Sequence, residues 1–353
     1  MSKQSLFQSL EQELQELPQK LLRAQEILTA KPDCQVAATP ADVVYAEDKM
    51  RLLHYRRLPD KQPIHRTPVL IVYALINRYI MLDLEPGRSF VQNLLKEGLD
   101  VYLIDWGYPT GADRYLNLDD YINYYTDRAV EWIRSETKVK KINLMGVCMG
   151  GTFAVIYAAL HLQRIKNLIT LATPTEFDID DAVLFSWAKK FDVDKMMDSF
   201  GNLPGDLANI LYLLATPVAT VNKYVQFLEN AENPRFVSTF MRMEKWIFDS
   251  PDMAGEVFKE WIRDILQQNL LIKNRLVVGG RQVDLRKIKC PLLNVFGKSD
   301  YLAPPSSAKP LAKAVGSQDV TTLGVDTGHV GIFVGSTSYK TIIPNIVKWI
   351  KER

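Results

Sequence analysis

The stretch INLMGVCMGG, residues 142–151, decides the fold. It begins as an apolar run of strand length, and the residues after it have the composition of a buried helix. Between the two, residues 146–150 have the form G-x-C-x-G, which in a strand–turn–helix context is typical of the tight turn that presents a nucleophile. We predict that Cys148 is the nucleophile and that the backbone N–H of Met149, at the helix start, stabilises an oxyanion. Cysteine suits this place because a thiolate forms more readily than an alkoxide at neutral pH.

Strand and helix patterns alternate on both sides of this turn. Apolar runs of strand length occupy residues 68–74, 100–105, 142–147, 167–173, 291–297 and 320–325, and helical patterns occupy residues 90–97, 118–135, 150–162 and 339–351. Continuous apolar strands that alternate with helices are typical of a parallel sheet covered on both faces. The pattern therefore predicts an α/β fold with a mostly parallel, doubly wound sheet, together with a hairpin over residues 43–58.

Two residues that could serve Cys148 follow the last two predicted strands. Asp300 comes after the strand at 291–297, and His329 comes after the strand at 320–325. The chain order Cys, Asp, His matches the order of the catalytic triad in the α/β-hydrolase fold, which is therefore the predicted fold. We expect His329 to act as the general base and Asp300 to orient it. The second oxyanion N–H is expected in the loop after the first parallel strand, at Leu75.

The remaining histidines and cysteines are predicted to take no part in catalysis. His54 falls in the hairpin, His65 in a loop and His161 late on the helix after the turn, while Cys34 and Cys290 are expected to be structural. The cysteines have no paired spacing, which argues against a disulfide framework or a zinc site. Sparse cysteines favour a reducing, cytosolic compartment.

The chain divides into three predicted parts. Residues 1–40 form an N-terminal helical extension, and residues 41–174 and 276–353 form the catalytic core. Residues 175–275 have no strand pattern and are rich in Phe, Trp, Met and Leu at helical spacing, which predicts a helical cap inserted over the sheet.

The extension carries apolar residues at heptad-like spacing from Phe7 to Leu28. Pro18 interrupts this seam and predicts two short helices, the second starting near the proline. Two interpretations of the seam stay open. It packs on the chain's own domain, or it docks another subunit.

Composition excludes several classes of protein. The chain has 353 residues with 43 basic and 41 acidic side chains, and this near-balance argues against a nucleic-acid-coating surface. Residues 142–162 are long enough to imitate a membrane span, but their Gly-Gly pair favours a strand, a turn and a helix, so no transmembrane segment is predicted. The acidic run Glu176, Asp178, Asp180 and Asp181 is interpreted as helix N-cap and first-turn charge, so no metal site is predicted.

The sequence around Cys148 resembles a known family. GVCMGG is similar to the modified lipase box of the polyhydroxyalkanoate synthases, in which Cys replaces Ser. Further collinear stretches resemble that family, namely residues 69–84 (VLIVYALINRYIMLDL), 99–109 (LDVYLIDWGYP), 283–293 (VDLRKIKCPLL) and 326–331 (DTGHVG). The short length resembles the class III catalytic subunit.

The resemblance implies an acyltransferase that joins 3-hydroxyacyl-CoA units, with 3-hydroxybutyryl-CoA as the expected substrate, into a polyester. Cys148 would carry the acyl chain, His329 would be the base and Asp300 its partner. Coenzyme A would leave as a product, and no further cofactor is implied. The resemblance also implies a second, dissimilar subunit and a cytoplasmic location at the surface of polyester granules, and it leaves a homo-oligomer open.

Two other functions stay open at this stage. A Cys-dependent thioesterase or lipase-like hydrolase would use the same triad. A non-catalytic granule-surface scaffold would use the apolar stretch at residues 207–221 instead.

Overall fold

The computed structural model describes residues 3–30, 35–58 and 65–353. Its main sheet has eight strands in the order β1-β2-β4-β3-β5-β6-β9-β10, and β7 pairs with β8 in a small separate hairpin. The strands are β1 (Ala41–Glu47), β2 (Met50–Tyr55), β3 (Val69–Val72), β4 (Val101–Asp105), β5 (Ile142–Val147), β6 (Ile165–Leu171), β7 (Val277–Val278), β8 (Arg281–Gln282), β9 (Leu292–Gly297) and β10 (Val320–Val325).

The predicted hairpin and the predicted parallel sheet are both confirmed. Strand β2 pairs antiparallel with β1 and with β4, and the pairs from β4 through β3, β5, β6 and β9 to β10 are all parallel. Every residue of β3, β4, β5 and β9 is buried, as expected for strands covered by helices on both faces.

Helices cover the sheet and form the segment between β6 and β7. They are α1 (Lys3–Ala30), α2 (Phe90–Lys96), α3 (Asp127–Thr137), α4 (Met149–Leu160), α5 (Val183–Ala188), α6 (Val193–Phe200), α7 (Gly205–Ala215), α8 (Pro217–Glu229), α9 (Pro234–Phe248), α10 (Gly255–Glu260), α11 (Pro305–Ala308), α12 (Leu311–Ala314), α13 (Gly331–Val334) and α14 (Ile343–Lys351). Turns of π-helix adjoin α3, α10 and α14 at Asp120–Thr126, Trp261–Gln267 and Ser338–Ile342.

The strand register brings several loops to one edge of the sheet. Val72 at the end of β3 lies beside Gly146 in β5, and Val325 at the end of β10 lies beside Gly297 in β9. The chain order also reverses at β3, because β4 lies on one side of it and β5 on the other. Loops at the carboxyl ends of strands around such a switch point are where α/β sheets bind ligands.

The segment of residues 175–275 packs against the core near its carboxyl end, through Trp261. Trp261, just after α10, packs edge-on against Phe153 of α4 with 6.1 Å between ring centroids, and against Phe177 with 5.8 Å. In the described residues of this segment, extended pairing is limited to an isolated bridge between Leu203 and Met253. The predicted helical insertion is therefore observed, and its last helix packs on the helix that follows the tight turn.

The predicted break of the N-terminal extension at Pro18 is wrong. Helix α1 runs as one 28-residue helix with Pro18 inside it. A proline removes one backbone hydrogen bond, and the strong helix formers on both sides sustain the helix despite this loss. Ala24 and Ile27 pack in a small apolar cluster with three residues of the insertion, which are Phe227, Ala231 and Phe240.

The interpretation of the acidic run as helix-start charge is also wrong. Helix α5 begins only at Val183, and its first turn holds no acidic residue. The chain before it has no regular secondary structure, and its carboxylates contact other elements. Their partners are Asn269 for Glu176, Lys189 for Asp178 and Ser306 for Asp181.

Among the described residues, no helix combines the length and the apolar character that crossing a membrane requires.

The packing of the insertion predicts the effect of truncating Phe177. This side chain is fully buried between Phe185 and Trp261. We expect Phe177→Ala to lower the free energy of unfolding by about 3–5 kcal/mol, measured by urea denaturation. Phe248→Ala, at a position 59% exposed, is the control and should change it by less than about 0.5 kcal/mol. Equal effects of the two variants would contradict this packing.

Candidate active site

The turn between β5 and α4 has the geometry of a nucleophile elbow. Cys148 has φ 52° and ψ −124°, a left-handed conformation that L-residues rarely adopt. A Cβ on Gly146 would lie 2.4 Å from the Cα of Gly151, and one on Gly150 would lie 2.4 Å from the carbonyl oxygens of Val72 and Tyr73. The glycines of the motif are therefore required by close backbone approach.

His329 and Asp300 form the predicted hydrogen-bonded pair. His329 Nδ1 lies 2.7 Å from Asp300 Oδ2, and the Asp300 side chain is fully buried. The other carboxylate oxygen accepts hydrogen bonds from the backbone N–H groups of Leu302 and Ala303, both at 2.9 Å. The carboxylate is thus held from two sides, and it fixes the orientation of the imidazole.

His329 also hydrogen-bonds to the side chain of Cys148, so the structure brings together all three residues that the sequence singled out. Burial lowers the pKa of His329, but the negative charges and hydrogen bonds of Asp300 and Cys148 outweigh it and hold this pKa well above its usual value. The imidazole thus lies between a carboxylate and a sulfur, which is the arrangement of a base beside a candidate nucleophile.

The two predicted oxyanion donors belong to the start of α4 and to the loop that packs against it. Met149 is the first residue of α4, and the first N–H groups of a helix have no partner within the helix. The near-contact of Gly150 with the carbonyls of Val72 and Tyr73 places the loop after β3, which contains Leu75, against the start of α4. That Met149 and Leu75 donate to one oxyanion stays a prediction.

Two tyrosines near the sulfur were not found from the sequence. Burial raises the pKa of Tyr73, after β3, and of Tyr212, on α7, and the charge of Cys148 raises both further. No spacing in the sequence links residues of the insertion to Cys148, so only the tertiary structure reveals these neighbours.

The other histidines have partners elsewhere. His54 Nε2 lies 2.7 Å from Asp100 Oδ1, and the His54 ring stacks on Tyr102. His161, at the far end of α4, lies 2.8 Å from Asn123 Oδ1, and burial is the main cause that lowers its pKa to about 4.

Neither of the other cysteines enters the site. Cys290 precedes the amino end of β9, opposite the site, and burial raises the pKa of its thiol to about 11. Cys34 lies outside the described residues. Within the described ranges, no group of three His, Cys, Asp or Glu side chains is arranged to hold a metal ion.

Comparisons with known families agree with this geometry. Residues 67–336 match the family described as the alpha/beta hydrolase fold. Residues 3–94 match the family described as the N-terminus of poly-beta-hydroxybutyrate polymerase (PhaC).

Individual relatives extend the similarity over nearly the whole chain. The poly(3-hydroxyalkanoate) polymerase subunit PhaC of Allochromatium vinosum is 44% identical over 98% of this chain and 97% of its own length. The protein of the same name from Thiocystis violacea is 41% identical over 98% and 97%. Among solved structures, the monoacylglycerol lipase of Paleococcus ferrophilus superposes with a TM-score of 0.52 at 18% identity, covering 83% of this chain and 96% of the lipase, which shows the shared fold.

The Asp300–His329 pair predicts the effect of removing one charge. Asp300→Asn keeps the size of the side chain but removes a main cause of the raised pKa of His329. We therefore expect this pKa to fall, so that the imidazole signals in NMR titrate at lower pH than in the unchanged protein. The matched control is Asp326→Asn, an exposed carboxylate paired with Lys298, which should leave the titration unchanged. An unshifted His329 titration in Asp300→Asn would contradict the assigned pairing.

Proposed function

The chain belongs to the poly(3-hydroxyalkanoate) polymerase family, and we propose that it assembles its polyester on Cys148 through acyl-thioester intermediates. A polymerase of this family is an acyltransferase. The observation that carries the proposal is the contact of the Cys148 side chain with an imidazole that Asp300 holds at 2.7 Å. The proposed substrate is 3-hydroxybutyryl-CoA.

The first step loads the enzyme. The Cys148 thiolate attacks the thioester carbonyl carbon, and the carbonyl oxygen becomes an oxyanion. The backbone N–H groups of Met149 and Leu75 are the proposed donors to this oxyanion. The bond from carbon to the sulfur of coenzyme A then breaks, and the departing thiolate takes its proton from His329. One thioester replaces another, so the acyl group stays activated.

The second step makes the polymer bond. The hydroxyl of another 3-hydroxyacyl unit attacks the acyl group on Cys148, and His329, oriented by Asp300, accepts the hydroxyl proton. An oxygen ester forms, the carbon–sulfur bond to Cys148 breaks, and the cysteine returns to the thiolate–imidazolium pair. The step is downhill because an oxygen ester is more stable than a thioester.

Water is the competing nucleophile, and its exclusion separates a polymerase from a hydrolase. The proposed barrier is the insertion. Its Tyr212 is near enough to Cys148 for the charge of that residue to raise the pKa of the tyrosine. A covered site favours attack by a bound hydroxyl over attack by bulk water. A thioesterase or lipase-like hydrolase would use the same triad, and it would release free hydroxy acid instead of polyester.

Two surfaces support proposals about partners. The heptad-seam residues Leu14, Leu17, Leu21 and Leu28 of α1 are exposed, and we assign them to a second, dissimilar subunit. Exposed aliphatic side chains on α7 and α8, which are Ile210, Leu214, Val218 and Val221, are assigned to the surface of a polyester granule in the cytoplasm. A second copy of the chain competes for either surface, so a homo-oligomer is an alternative outcome.

The thioester mechanism predicts that Cys148→Ala abolishes release of coenzyme A from 3-hydroxybutyryl-CoA. Free thiol and insoluble polyester are followed together, with and without a candidate second subunit. The control is Cys290→Ala, which removes a buried thiol at the opposite edge of the sheet and should retain turnover. Retained turnover in Cys148→Ala would remove the mechanism. Thiol release with free hydroxy acid and no polyester would instead favour the hydrolase.

The assignment of the seam predicts a difference between two neighbouring leucines of α1. Leu21, on the seam, is 49% exposed, and Leu22, off the seam, is 61% exposed. We expect Leu21→Lys to weaken binding of the dissimilar subunit by about tenfold or more, because it places a charge in an apolar helix interface. Leu22→Lys should bind as the unchanged chain does. Binding by titration calorimetry that is equal in the two variants would contradict the assignment.

A further inference from the structure

The loop after β3 is fastened to the insertion by a charged contact. Arg78 lies in this loop, and its Nη1 donates to Oδ2 of Asp249, at the end of α9, over 3.1 Å. Its Nη2 lies 3.7 Å from Oδ2 of Asp105, the last residue of β4. The Tyr108 hydroxyl donates to the other Asp249 oxygen at 2.6 Å. Arg78 thus bridges one carboxylate of the sheet and one of the insertion, and its side chain is 20% exposed.

Neutral hydrogen bonds join the same two segments on either side of this ion pair. The Trp246 indole N–H of α9 donates to the carbonyl of Arg78 at 2.9 Å. The Ser250 hydroxyl, which follows α9, donates to the side-chain oxygen of Asn77. Asn77 has φ 59°, in the left-handed region that asparagine adopts more readily than most residues.

A small cavity lies beneath this loop. It measures about 20 Å³ and lies between the loop and the end of β4, lined among others by Leu75, Arg78, Asp105 and Trp106. This volume is about that of a single water site. The buried Nε of Arg78 has no hydrogen-bond partner among the described residues, so the guanidinium is held mainly by its two carboxylates. Ala74 and Leu75 are themselves buried, and the contacts of Asn77 and Arg78 with the insertion add a second hold on the loop.

We propose that Arg78 and Asp249 position the loop after β3. The predicted donor N–H of Leu75 is then aligned with the oxyanion only while the insertion contacts this loop. The inference rests on the proposed function, because it concerns stabilisation of the oxyanion formed on acylation of Cys148. Arg78 touches neither the sulfur nor its base and is a positioning residue. Substrate entry that lifts the end of α9 breaks the Arg78–Asp249 contact and releases the loop. Acylation is thereby coupled to the covered state in which water is excluded.

The experiment separates the reactivity of the sulfur from the stabilisation of an oxyanion. Acylation is measured as the single-turnover release of coenzyme A from 3-hydroxybutyryl-CoA. Alkylation of Cys148 by iodoacetamide is measured in parallel, because displacement of iodide forms no oxyanion. The variants are Arg78→Gln, Asp249→Asn and the double variant. The control is Lys223→Gln, which removes an ion pair to Glu244 within the insertion, 2.7 Å long, that involves no residue of the loop.

We expect each single variant to lower the acylation rate by about 10- to 100-fold, since a misplacement of about 1 Å costs this much. Alkylation of Cys148 should not slow, because Cys148, His329 and Asp300 are unchanged. The double variant should be no slower than the slower single variant, because the two residues act through one contact. Lys223→Gln should acylate as the unchanged chain does.

Other outcomes overturn the inference. Acylation at the full rate in both single variants, additive losses in the double variant, or parallel losses of acylation and alkylation would each exclude a positioning role. Failure of the proposed function looks different. The unchanged chain would then release no coenzyme A in a single turnover, or Cys148→Ala would release it at the same rate.

Discussion

The left-handed turn at Cys148 is the constraint on which the rest of the site depends. A non-glycine residue in this region costs about 1–3 kcal/mol and persists only where its surroundings over-determine it. Here β5 is buried along its whole length, α4 is buried along most of it, and Gly150 brings the helix start against the carbonyls of Val72 and Tyr73. The contacts that hold Cys148 in its strained conformation therefore also bring the start of α4 against the loop that contains Leu75, the predicted second oxyanion donor. The predicted nucleophile and the predicted oxyanion donors are therefore positioned by the same close contacts.

The sequence predicted the central sheet well because a strand buried on both faces leaves a local signal, a continuous apolar run. Strands β5 and β10 begin and end at the predicted residues, and β9 differs from its prediction by one residue. The grouping of Cys148, Asp300 and His329 was predictable for a related reason. Each follows a strand that ends at the same edge of a parallel sheet, so chain order alone indicates proximity.

What the sequence did not predict depends on contacts between distant segments. The continuity of α1 through Pro18 rests on a balance of helix propensity against one missing hydrogen bond, which a spacing rule does not weigh. The acidic residues near Asp178 found partners on other elements instead of at a helix start. Tyr212 and Asp249 belong to an insertion whose path over the sheet no local pattern encodes.

The triad by itself does not distinguish a polymerase from a hydrolase, because both need a nucleophile, an imidazole and a carboxylate in the same order. The sheet does not distinguish them either, since it superposes on a lipase at 18% identity. The difference between a polymerase and a hydrolase therefore has to lie in the segment that covers Cys148 and in the step of the reaction at which it covers this residue. In the described structure, the insertion contributes Trp246 and Asp249 to the loop after β3 and Tyr212 to the surroundings of the sulfur. A cover that also sets an oxyanion donor would make the thioester reactive only when water is kept away. Such coupling would let one cysteine hold an activated ester through repeated additions, whereas an uncoupled cover would leave the ester exposed to hydrolysis each time the site opens.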